Sequence, residues 1–144
     1  MLGGSSTCVS TTKVTMKSKG ELEAEISSAI IRFKKEYMGR GPLSVKTYLL
    51  DDMVLVRLQG VLTAAEQKLV QVEDRSRGRD LIKNTRLELI EHGRPLLEQV
   101  IRDILSVDVV SLHTDISTST GESILLFTLS AKPSFVAGES LQRP

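Results

Sequence analysis

The 144-residue chain has the length of one domain, enough to bury a single core and short for two. With 40% hydrophobic and 26% charged residues it is not the composition of a disordered chain. Its 19 Lys plus Arg against 18 Asp plus Glu leave no field of one sign to hold duplex nucleic acid or an anionic membrane surface. Cys8 is the only cysteine, so within one chain neither a disulfide nor a cysteine-based metal site can form, which fits a reducing compartment. The chain has no apolar run near the roughly 18 residues of a spanning helix and no apolar secretory h-region, and reads as cytoplasmic. Aromatics are 3% and Trp is absent. A stacking platform for single-stranded nucleic acid would need Phe33, Tyr37, Tyr48, Phe127 and Phe135, most of which read as core.

Residues 1–18, rich in Ser, Thr and Gly, read as a flexible leader and 132–144 as a flexible tail, flanking one domain over 19–131. Leu22, Ile26, Ala29, Ile30, Phe33 and Tyr37 recur at helical spacing among charged residues and predict an amphipathic helix that Gly39–Pro42 stops. From Val45 to Gly60 the pattern alternates as in strands and predicts a hairpin with Asp51 and Asp52 at its turn. Thr63 and Glu66 form a Thr-x-x-Glu capping box, the start of a second helical region. That region is expected to be interrupted around Arg75–Asp80, to resume on a stripe from Ile82 to Ile104, and to kink or break near His92–Arg94 because of Pro95. Strand character over Val107–Ile116 and Ser123–Ser130 predicts a second hairpin. The fold class is therefore α+β in an αββααββ-like order, with a four-stranded, largely antiparallel sheet and its helices packed on one face.

Alternation in the second hairpin places Val110, Leu112 and Ile116 on one face with Leu125, Phe127 and Leu129. Val109, Ser111, His113 and Asp115 then share the other face with Ile124 and Leu126. That second face is too apolar to be simply wet, and a homodimer is the simplest cover, with Val109, His113, Ile124 and Leu126 in the interface.

His113 and Asp115, two apart on one strand, project to the same side, where a carboxylate orients an imidazole or two ligands share an ion. A structural or interface pair is favoured over a metal or catalytic one, because a metal needs more ligands and His92 lies on a helix. Gly39, Arg40 and Gly41 put a guanidinium among exposed backbone N–H groups, a cradle for a small anion, although a helix C-cap and turn explain the same residues. The run Arg75, Arg77, Arg79 is a contact for acidic partners or a solvated linker. Ser117–Thr120 reads as a hairpin loop and Asp51–Asp52 as turn residues. No nucleophile elbow, phosphate loop or dinucleotide fingerprint occurs, so no catalytic residue, metal or cofactor is assigned.

With these segments in place the chain resembles the MpsC-like family, named for a sodium-translocating, membrane-potential-generating system of bacteria. The resemblance runs from Gly20 to Leu129. It is carried by Gly20–Ala29, Glu36–Pro42, Asp51–Thr63 and Val109–Ser117 with Gly121 and Glu122. It implies a small soluble protein associated with membrane machinery for sodium and inorganic-carbon handling, peripheral to the inner membrane through a partner, and it brings no catalytic residues. The expectation is thus a non-enzymatic accessory or regulatory protein. The alternative is a sensor of a small anion such as bicarbonate, phosphate or a nucleotide, bound by Arg40 with its glycines and the His113–Asp115 face.

Overall fold

The computed structural model describes residues 17–71 and 75–136, so Cys8 and most of the expected leader and tail lie outside the described residues. Helix α1 spans Lys19–Met38. Ser18 caps it: its hydroxyl accepts from the Glu21 N–H at 3.2 Å, while the Glu21 carboxylate accepts from the Ser18 N–H at 2.8 Å. Gly39, at φ 76°, ends the helix in the left-handed conformation that glycine adopts without penalty. Strands β1 (Ser44–Leu50) and β2 (Met53–Gln59) form the first hairpin. Asp51 sits at its turn with φ 56°, a conformation that Asp adopts more readily than most residues other than glycine. The short helix α2 (Ala64–Leu69) and the long helix α3 (Arg75–Leu105) follow, then β3 (Val109–Ser117) and β4 (Glu122–Leu129).

All strand pairs are antiparallel, in the order β1-β2-β4-β3. The two hairpins therefore meet through β2 and β4. The inner sheet face buries Leu49, Val54, Val56, Leu58, Leu125, Phe127 and Leu129. Leu22, Ile26, Ile30 and Phe33 of α1 and Ile82, Ile90, Leu97, Ile101 and Leu105 of α3 join them in one core. The outer face follows from the register: Tyr48, Leu55, Leu126 and His113 line up across the four strands, as do Lys46, Arg57, Ile124 and Asp115. None of these eight is buried.

Three details differ from the sequence reading. The helical break falls before Arg75, and Arg75–Asp80 is helix. Pro95 lies inside α3, which runs through it unbroken. Pro95 and Glu91 are both exposed, so the Glu91 carbonyl that loses its donor faces water while Gly93 and Leu97 hold the helix to the core. Val109 does not share the outer face. The register shifts between Val109 and Ser111, so that Val109 pairs with Leu129 and packs against the core, while Val110 is the extra residue, 64% exposed. Beyond β4, Pro133 is buried and the Val136 N–H donates to the Lys17 carbonyl at 2.8 Å, joining the chain after the sheet to the start of α1.

Candidate functional site

The residues singled out in the sequence do not assemble into one site. The Arg40 guanidinium donates to the Leu62 carbonyl, tying the α1–β1 turn to the segment after β2. His113 lies mid-strand on the outer face, with its Nε2 3.2 Å from the Ser111 hydroxyl. Asp115 is not its partner: Asp115 accepts from Lys83 Nζ at 2.7 Å and from the Ile116 N–H at 2.8 Å. These two bonds, the lysine first, hold the Asp115 carboxyl below the usual carboxylate range against its partial desolvation. Gly39 and Gly41 flank Arg40 as cap and turn. Among the described residues no group of three or more His, Cys, Asp or Glu side chains is placed to hold a metal ion.

The arrangement that stands out was not singled out in the sequence. Lys83, Arg86, Leu87 and Ile90 form one stripe of α3, at i, i+3, i+4 and i+7, which faces Lys34 of α1 and Thr114 to Ile116 of β3 across a cavity of about 220 Å³. Arg86 is 8% exposed. Its Nε and Nη2 donate to the two oxygens of Glu66 at 2.9 and 2.7 Å, and Nη2 also reaches the Val61 carbonyl at 2.7 Å. Glu66 Oε1 accepts from the Thr63 N–H at 2.9 Å as well, so the capping-box carboxylate doubles as the counter-ion of a buried guanidinium. Burial by itself would raise the Glu66 pKa. The hydrogen bonds from Arg86 and Thr63 outweigh it and leave the group below its ordinary value.

Lys34 is 3% exposed and makes no hydrogen bond or ion pair with a described residue. Among the described residues no fully buried side-chain nitrogen or oxygen lacks a partner, so the Lys34 ammonium is not sealed in and opens on the cavity it lines. Burial first, and then the Arg86 guanidinium, lower its pKa from 10.5 to about 8, with Glu66 opposing. A buried lysine held this way is still charged near neutral pH, at a cost to the fold, and loses its charge as pH rises through about 8. It strongly favours an anion placed beside it, because an anion restores the lost solvation.

Fold and cavity together define an α+β protein with an open antiparallel sheet, helices on one face of it, and a cation-lined cavity between the helices and the edge strand β3. The chain belongs to the MpsC family, described as the Na+-translocating membrane potential-generating system, whose model matches residues 18–131. It is 45% identical over 113 residues to the uncharacterized protein YbcI of Bacillus subtilis (strain 168), covering 78% of this chain and 89% of that protein. It is 24% identical over 110 residues to the uncharacterized protein YrhF of the same organism, covering 75% and 87%. No solved structure matches the chain. Among the described residues no helix is long and apolar enough to cross a membrane.

Proposed function

We propose that the protein is a non-enzymatic accessory or regulatory component of bacterial machinery for sodium and inorganic-carbon transport, peripheral to the membrane and working by docking. The accessory role is carried by the family's description, and the outer sheet face supports a protein that assembles. There Tyr48, Leu55 and Leu126 form a continuous apolar row beside Leu50, Met53 and Ile124, none of them buried. Covering such a face gains less than the roughly 1.5–3 kcal/mol per large side chain of full burial, because its residues are already partly buried. A second copy of the chain is the proposed cover, because a self-complementary face is the simplest closed assembly. Affinity purification of the tagged full chain from gently solubilised membranes tests the role. Stoichiometric recovery of a sodium-transport component is expected, and recovery of this chain alone across growth conditions would remove the accessory role.

A second reading, sensing of a small anion, lacks the joint Arg40 and His113–Asp115 site expected for it, because Arg40 is bound to Leu62 and His113 and Asp115 have separate partners. The Lys34 cavity offers it another location.

A further inference from the structure

We propose that the cavity between α1, α3 and β3 is a binding site for a small organic monocarboxylate. Its carboxylate pairs with the Lys34 ammonium, and its short apolar chain lies on Leu87, Ile90 and Ile116. The inference rests on the small-anion reading and is independent of the outer face.

Charge decides the class of ligand. Three cations, Lys34, Lys83 and Arg86, meet at the cavity, and two carboxylates balance two of them: Glu66 holds Arg86 and Asp115 holds Lys83. Among the described residues one positive charge is left without a partner, on the most buried of the three. A monoanion neutralises the site, whereas a dianion would carry an excess negative charge into a partly apolar space beside Asp115. The lining decides the rest. The wall of Leu87, Ile90 and Ile116 covers a chain of a few carbon atoms, which a bare inorganic oxyanion lacks, while Asn84 and Thr114 on the same lining are polar groups for the carboxylate oxygens, and about 220 Å³ is room for several times the volume of one water. A protein that gained nothing from this charge would be more stable with an apolar residue at position 34, since an uncompensated buried ammonium costs folding energy.

Binding of butyrate to the full chain, measured by calorimetry between pH 7 and 9.5, tests the proposal. Butyrate stays ionised throughout, as do Glu66 and Asp115, both of which are held below the ordinary carboxylate range. The group left to titrate opposite the ligand is Lys34, with a midpoint near 8. Affinity should therefore fall about thirtyfold across that interval. Lys34→Met should abolish binding while keeping the fold, and Lys83→Met should keep the pH dependence. In the unmodified protein the Lys34 side-chain resonance should titrate near pH 8 and move upward by a pH unit or more with butyrate. Equal binding by K34M, affinity independent of pH, or an unmoved Lys34 resonance would overturn the assignment. Phosphate and bicarbonate form the second arm. Lys34-dependent binding of either without butyrate would reject the monocarboxylate yet keep the small-anion reading, and no binding of any of the three would reject both.

Discussion

Glu66 of α2 and Arg86 of α3 share one carboxylate between two tasks: Oε1 accepts from the Thr63 N–H at 2.9 Å and from Arg86 Nη2 at 2.7 Å, while Oε2 accepts from Arg86 Nε at 2.9 Å. The helix start of α2 is thereby fixed to the middle of α3. Removing either partner leaves the other charged and mostly buried. Glu66→Gln and Arg86→Met should each cost about 3 kcal/mol, and the double variant much less than the sum. Urea denaturation of the four proteins measures the coupling, and additive losses would show that the pair does not act as a unit.

The buried ammonium makes stability depend on pH. The folded-state pKa of Lys34 is depressed to about 8 from 10.5, so between those values the unfolded chain holds a proton that the folded one has released. The penalty is fully present below pH 8 and disappears as pH rises to about 10.5. Lys34→Met should therefore stabilise the protein by about 3 kcal/mol at pH 7 and by little near pH 10.5. Urea midpoints of the two proteins at pH 7 and pH 10 are the comparison, and a gap that fails to narrow with rising pH contradicts the account.

Gly93 lets α1 and α3 approach closely. A Cβ there would lie 2.6 Å from Cζ of Phe33, whose ring is buried and stacked on Tyr37 with centroids 4.5 Å apart. Gly93→Ala gains about 1 kcal/mol of helix propensity but forces the ring aside at about 1–3 kcal/mol, so a net loss is expected. A thermal melt showing a stabilised variant would mean that Phe33 relocates freely.

The bulge at the start of β3 separates two adjacent valines. Val109→Ser should cost about 1–2 kcal/mol, because the side chain packs against the core, whereas Val110→Ser should change stability by less than about 0.5 kcal/mol. A larger loss for Val110→Ser than for Val109→Ser in chemical denaturation would argue for the regular register without a bulge.

On the outer face, Leu126 is flanked by Leu55 and His113 in one row. If a second copy covers that row, Leu126→Asp places an unpaired carboxylate in an apolar contact and should dissociate the dimer without unfolding the monomer. Light scattering at micromolar concentration reads the outcome. A monomeric unmodified protein, or an undisturbed dimer of the variant, would assign the face to another cover.

Local signals in the chain determined most of the architecture. The stripe from Leu22 to Tyr37, the Thr63–Glu66 box, the Asp51–Asp52 turn and the two alternating segments each specify their own element, because helix periodicity, capping and turn chemistry act over a few residues. Even the cavity left a trace. Lys34 stands four residues after Ile30, and Arg86 stands midway between Ile82 and Ile90, so both charges occupy positions of an apolar stripe. What the chain could not show is where those stripes meet. That Glu66 neutralises Arg86, that Asp115 pairs with Lys83 and not with His113, and that Lys34 is left without a partner among the described residues are consequences of packing across tens of residues. The bulge at Val110 belongs to the same category. A single extra residue exchanges the two faces of a strand, and only pairing with β4 decides where it is absorbed. Charge balance in a buried space depends on which groups face one another, and only the tertiary structure decides that.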